Sequence, residues 1–403
     1  MKAIKSSYVR PKRSQSQLAL SKSSQRLAMG AICLLVGGSM MGLNGVMNQA
    51  QTRTTGMLRS LSRKLQDYTV QDIDSNPDVY TPAMVEQYLY DHRVELGYEP
   101  EDDSGTSEGC KIWNDPHEST IYDELQQYRE EIVNYWEDVK KYNWIQENGI
   151  TDVRPHLHQG ICQNLELDPR GRNIKDAYFS KSNQLSRTNS SGWIEPLLTP
   201  MRHPNFCTRK SGNILNTEYL VHDFRAMCEK LKPTSRIVLF DMGASPKFAG
   251  ASNPMWKIMN LFGQFGFKFD HIYAYEIKHF DPQEVYQLVP RHLQPAYHWI
   301  NAGVSIEEGH ALNPFTMLEQ EYNEDDLVIV KLDIDTASLE VPLAHQLLNS
   351  PKLWNLVDQF YFEHHVRQEE NRFWAKSWGG SIKDTLDLFF GLRKRGVPAH
   401  FWV

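Results

Sequence analysis

From Tyr219 to the C-terminus, short apolar runs alternate with stretches whose apolar positions recur at helical spacing. The runs at Ile237–Phe240, 271–276, 296–301, 327–332, 356–362 and Ala399–Val403 predict strands, since brief uninterrupted apolar segments suit a sheet covered on both faces. Between them the pattern predicts helices over Tyr219–Lys230, Trp256–Phe265, Gln283–Leu288, Ser338–Leu348 and Ile382–Lys394. Such alternation requires right-handed crossovers. It therefore predicts a doubly wound, mostly parallel, Rossmann-like α/β sheet over residues 216–403.

Upstream the periodicity is weaker. Thr81–Gly97 and Ser119–Asn148 have helical spacing, the latter through Ile121, Leu125, Tyr128, Ile132 and Tyr135. The intervening Glu99–Gly109 is acidic and Gly/Ser-bearing, as exposed loops are. Residues 81–215 thus form a helical and irregular accessory region. Within it, Trp193–Pro204 is aromatic, basic and stiffened by prolines, which suits either a substrate-facing loop or a strap across the sheet edge. Residues 48–80 have the polar, aperiodic character of a stem.

Leu27–Met47 carries no charged side chain, and its length suits a membrane-crossing helix. No Asp or Glu precedes Asp67, whereas residues 1–26 carry Lys and Arg throughout. The positive excess on the N-terminal side favours a cytoplasmic tail, a signal anchor and a lumen-facing remainder, in a type II arrangement of the Golgi or endoplasmic reticulum. A plastid or mitochondrial transit peptide is the alternative, because the leader is also Ser-rich and free of acid.

Composition narrows the classes. A net charge of −7 argues against a nucleic-acid binder held by phosphate contacts. Beyond Cys33 lie Cys110, Cys162, Cys207 and Cys228, an even set that permits two disulfides in three connectivities, or four thiols in a reducing compartment. Asn189-Ser190-Ser191 is a glycosylation sequon. No Cys/His spacing points to zinc, His156 and His158 are an ordinary pair, and no metal site is expected.

The candidate chemistry lies at strand ends. Asp241 ends the first run, Gly243 permits a tight turn, Glu276 ends the second run, and Asp333 follows the fourth. An acid at the second strand's tip is placed to accept hydrogen bonds from ribose hydroxyls, and ligands of such sheets bind at the strands' carboxyl ends. Neither a G-x-G-x-x-G turn nor a P-loop occurs, which disfavours dinucleotide and nucleoside-triphosphate sites.

Five segments in order carry a family resemblance: Phe240-Asp241-Met242-Gly243-Ala244-Ser245, Tyr275-Glu276, Trp299-Ile300-Asn301-Ala302-Gly303-Val304, Val330-Lys331-Leu332-Asp333-Ile334-Asp335 with the following Thr336–Glu340, and Phe362-Glu363-His364-His365. The stretch 218–403 resembles the FkbM-type class I S-adenosylmethionine-dependent methyltransferases. The resemblance implies O-methyl transfer from S-adenosylmethionine to a small molecule or glycan. It implies Asp241, Gly243 and Ala244 at the amino-acid end of the cofactor, Glu276 at the ribose, and Ala302 and Gly303 at the adenine. Asp333 would orient the reactants and His364 or His365 would act as base, since imidazole titrates near working pH. Adjacent residues of a strand face opposite ways, so at most one of these histidines faces the site.

Two other functions fit parts of the pattern. Asp333-Ile334-Asp335 imitates the DxD motif of a type II membrane glycosyltransferase, where acids hold Mn²⁺ or Mg²⁺ against a nucleotide-sugar. Alternatively, one aspartate merely caps the helix that follows. The altered Asp335-Thr336-Ala337-Ser338 segment also fits a catalytically inactive, methyltransferase-like binding module.

Overall fold

Six apolar runs come together as one sheet in the order β6-β5-β4-β7-β8-β9, with every pairing parallel. The strands are β4 (Ile237–Met242), β5 (His271–Tyr275), β6 (Tyr297–Ile300), β7 (Leu327–Leu332), β8 (Val357–Phe362) and β9 (Ala399–Phe401). This computed structural model describes residues 80–94, 109–110, 126–134, 179–182, 192–198, 207, 215–246, 253–367 and 379–403. All of them belong to one compact unit, Tyr68–Val403. Every residue of β4, β7 and β8 is buried, as their unbroken apolar character requires.

The expected tail at 1–26, span at 27–47 and most of the stem lie outside the described residues, as do the sequon, His156 and His158. Among the described residues no helix is long and apolar enough to cross a membrane.

Polar caps set the helix boundaries. α3 (Pro254–Gln264) starts where the Asn253 side chain accepts the Trp256 N–H and Pro254 supplies a pre-set φ. α8 (Ile382–Lys394) starts with a capping box between Ser381 and Asp384. α2 (Phe224–Lys230) begins later than Tyr219 because Asp223 caps it, accepting the Ala226 N–H. The preceding turn is pinned to the sheet instead: Tyr219 Oη donates to Phe401 O at 2.6 Å, and His222 Nε2 lies 2.5 Å from Tyr361 Oη. α4 (Pro282–Leu288) and α6 (Ala337–Asn349) fall where the spacing put them. α5 (Pro314–Glu321) and the short α7 (Pro351–Leu356) were not expected. Each has a strong N-cap, Asn313 and Ser350, but buries only two or three side chains, too few to leave a periodic signal.

The accessory region docks on the β9 side. Its β1 (Tyr80–Thr81), β2 (Ser180–Ser182) and β3 (Gly192–Ile194) form a small antiparallel sheet, and α1 (Met84–Asp91) follows β1. The descending segment Glu195–Leu198 is buried. Its Glu195 carboxylate meets His400 Nδ1 at 2.8 Å on β9 and accepts the Val221 N–H at 2.8 Å. This part of Trp193–Pro204 is therefore a strap across the sheet edge, held because a buried carboxylate must find donors.

Cys110 and Cys207 form a disulfide, and Cys228 is disulfide-bonded as well. The Cys110–Cys207 bridge joins residues 97 apart in sequence. Removing it with paired Cys110→Ser and Cys207→Ser changes should cost about 4 kcal/mol through the loop entropy regained on unfolding. An unchanged urea midpoint would contradict this.

Candidate functional site

The strand order reverses between β4 and β7, and crevices outside the carboxyl ends at such a reversal are where doubly wound sheets bind ligands. Two neighbouring structures occupy these ends: a ledge on β4, β5 and β6, and an acid-rich cluster on β7, β8 and β9.

Backbone bonds stitch the ledge together. The N–H groups of Gly243 and Ala244 both donate to Tyr275 O, at 3.0 and 2.9 Å. Glu276 N–H donates to Ile300 O at 3.1 Å, and Asn301 Nδ2 donates to Glu276 O at 2.8 Å. Glu276 thereby sits in the middle of three joined turns. Its Oε1 accepts the Lys278 N–H at 2.6 Å, which fixes the side chain, while Oε2 has no hydrogen-bond partner among the described residues. Ala302 and Gly303 form the third turn, partly exposed. A Cβ on Gly303 would come within 3.1 Å of Ile277 Cδ1, so the glycine lets Ile277 lie over the turn. Ile277 is 71% exposed, an apolar face beside the Glu276 carboxylate.

Asp241 and Gly243 have tasks the sequence did not reveal. Asp241 and Lys331 are register partners on adjacent strands, so their side chains share a face. Lys331 Nζ lies 3.0 Å from Asp241 Oδ1 and 3.1 Å from Asp333 Oδ2, and donates to Gly243 O at 3.0 Å. Three oxygens thus surround an ammonium group that is almost wholly buried. Burial works to neutralise this lysine, but the two carboxylates outweigh it and raise its pKa. Gly243, at φ +84°, approaches the Asp333 backbone rather than open space. Asp241 thus serves first as the partner of Lys331. A lysine inside an apolar strand must find a partner, and that signal was available in the run Leu327–Leu332.

Asp333 stands at the junction. Its Oδ2 accepts from Trp402 Nε1 at 3.2 Å, and its carboxyl group is hydrogen-bonded with Glu363. Burial first, then the Glu363 carboxylate, push its pKa up to about 8 against the pull of Lys331. Neither aspartate caps α6: its N-cap is Thr336, with no side-chain cap bond, and the Glu340 carboxylate takes the Ile334 N–H at 2.8 Å instead.

The two histidines diverge, although β8 ends at Phe362 and strand alternation does not place them. His364 turns toward α8, its ring stacked on Phe362 at 5.0 Å and its Nδ1 2.7 Å from Thr385 Oγ1. Burial lowers its pKa to about 4, so it is neutral at pH 7. His365 turns toward the acids, with Nε2 at 3.5 Å from Glu363 Oε2 and 4.0 Å from Asp335 Oδ1. Against the sequence expectation of no metal site, one potential ligand atom from each of Asp335, Glu363 and His365 falls within 4.8 Å of the others. Two strand tips create this set, and linear spacing between residues 335 and 363 carries no trace of it.

Fold and site together define a doubly wound α/β domain with a carboxylate ledge and an acid–imidazole cluster at its switch point. The chain matches no protein-family model, no curated protein and no solved structure.

Proposed function

We propose that the chain is an S-adenosylmethionine-dependent O-methyltransferase acting on a hydroxyl or carboxylate of a small molecule or glycan. The observation that carries this reading is the Glu276 ledge. It offers one carboxylate oxygen with no partner among the described residues, flanked by the apolar Ile277 and the glycine turn at Gly303. A ribose diol and an adenine ring suit those two surfaces. The N–H groups at Gly243 and Ala244 are already committed to Tyr275 O, so these two donors are not available to a pyrophosphate. That favours a nucleoside cofactor without phosphates over a dinucleotide or nucleotide-sugar.

The cofactor supplies a methyl carbon on a sulfonium; displacement by an acceptor hydroxyl releases the thioether and one proton, and displacement by a carboxylate releases the thioether alone. Glu276 holds the ribose, and Ala302 and Gly303 line the adenine side. The Asp241–Lys331–Asp333 arrangement fixes the strand tips, and Glu363 and His365 lie beside Asp335 on the acceptor side of this reading. The disulfides support an oxidising, lumenal compartment, in keeping with the expected N-terminal anchor.

Isothermal titration of the full chain with S-adenosylmethionine tests the reading. Saturable binding weakened roughly tenfold or more by Glu276→Ala is expected, since each lost charged hydrogen bond costs about 1.5–3 kcal/mol. Binding of a nucleotide-sugar with Mn²⁺ in its place would move the protein to the glycosyltransferase class. Binding of neither would leave a non-catalytic module.

A further inference from the structure

We propose that Asp335, Glu363 and His365 form a mononuclear site for a divalent transition-metal cation, Mn²⁺ or Fe²⁺ in class. The donor set is mixed. One imidazole nitrogen and one oxygen from each of two carboxylates converge from the loop after β7 and the tip of β8. His365 is 5% exposed and presents Nε2 to both carboxylates, while Asp335 lies at the open side with its side chain 63% exposed. A buried wall and an open mouth let an ion enter from solvent and keep coordination positions free. Three protein ligands with vacant positions are the arrangement of catalytic, rather than structural, metal sites.

The donor chemistry selects the ion. Two carboxylates and one imidazole are too nitrogen-rich for a preferred Ca²⁺ or Mg²⁺ site and lack the thiolates that soft ions take. The separations of 3.5 and 4.0 Å from His365 Nε2 lie near the donor–donor spacing around an ion with bonds of about 2.1 Å. The surroundings also favour a cation. Glu340, in the first turn of α6, adds a further buried acid, and the positive side chain paired with Asp333 is Lys331.

The free positions would take hard oxygen ligands from a second molecule. Resting on the methyltransferase reading, those ligands belong to the acceptor, whose hydroxyl loses its proton more readily on a cation. On this ion His365 is a ligand, so the acceptor's proton passes to water at the open side beside Asp335 and not to the imidazole. Cation binding itself does not use the ledge, so its test is independent of the cofactor.

The experiment is a Mn²⁺ titration of the chelator-stripped full chain, without cofactor, followed by loss of the free-ion electron paramagnetic resonance signal. One ion per chain is expected, with affinity reduced roughly tenfold or more in Asp335→Asn and in Glu363→Gln. Asp335→Asn is the cleaner variant, because asparagine accepts the φ of +57° found there and the side chain is exposed. The melting temperature of the parent should rise with ion concentration, and that rise should vanish in Asp335→Asn. Glu276→Ala should leave the titration unchanged while weakening S-adenosylmethionine binding. No saturable binding, or equal affinity in parent and Asp335→Asn, overturns the site. Ion binding without cofactor binding overturns the methyltransferase reading alone.

Discussion

Gly243→Ala should destabilise the fold by more than about 4 kcal/mol, enough to lower the melting temperature by roughly 10 °C in a domain this size. A Cβ at this position would lie 1.6 Å from Asp333 O and 2.6 Å from the carbon bearing it. Backbone atoms of a buried strand end cannot swing aside as a flexible side chain can. Relief requires β7 to retreat from β4, which breaks the Asp333 N–H bond to Met242 O and the Lys331 bond to Gly243 O. Lys331 then loses an oxygen it cannot replace while buried. Gly309→Ala is the control. That glycine has a similar φ of +81° but nothing within 4 Å of its missing Cβ, so alanine there meets only the dihedral penalty of about 1–2 kcal/mol. Thermal melts of the two variants separate crowding from backbone strain. A Gly243→Ala protein melting as high as Gly309→Ala would show that the strand tips are not packed as described.

Arg393→Met should cost roughly 3–5 kcal/mol, the usual effect of taking one partner from a buried ion pair. The guanidinium is fully buried and spends its donors on four groups: Ala399 O at 2.9 Å, Tyr80 Oη at 2.9 Å, Glu195 O at 2.8 Å and Glu195 Oε1 at 3.3 Å. It also lies 3.5 Å from Glu86 Oε2. Glu86 in turn accepts from Tyr80 Oη, Ser180 Oγ and Leu197 N–H. Burial raises the Glu86 pKa, and Arg393 is the strongest force opposing that rise. Without the arginine, two carboxylates remain in the interior. Urea unfolding measures the loss. Arg393→Lys should fall nearly as far, because an ammonium cannot reproduce the planar fork. Adding Glu86→Gln to Arg393→Met should recover part of it, since one orphaned charge disappears. A single-variant loss below about 1 kcal/mol would mean that water reaches this network.

These two residues mark where sequence reading stops. Gly243 was legible as a turn glycine, because apolar run, acid and glycine stand together. The surface it approaches was not, because Asp333 is far along the chain and arrives only through sheet register. Arg393 lies in the last turn of a helix, where a basic residue ordinarily complements the dipole and faces solvent. Its partners Glu86 and Glu195 lie far upstream in the accessory region, and nothing in their local spacing points to a helix at the other end of the chain. The histidines follow the same logic. Strand alternation was the only rule available, yet β8 ends before them, and the contact with Thr385 on α8 decides which way His364 turns.

What the chain dictates by itself is the layered α/β character and the positions of six strands. Apolar runs that must leave water leave a local, periodic record. The placement of acids at the tips of β4, β5 and β7 follows from the same record. Tertiary structure alone decided the pairing of Asp241 with Lys331, the docking of the strap through Glu195, and the meeting of Asp335, Glu363 and His365. Charged side chains find partners by distance in space, and spacing along the chain does not encode that distance. The register of a parallel sheet does.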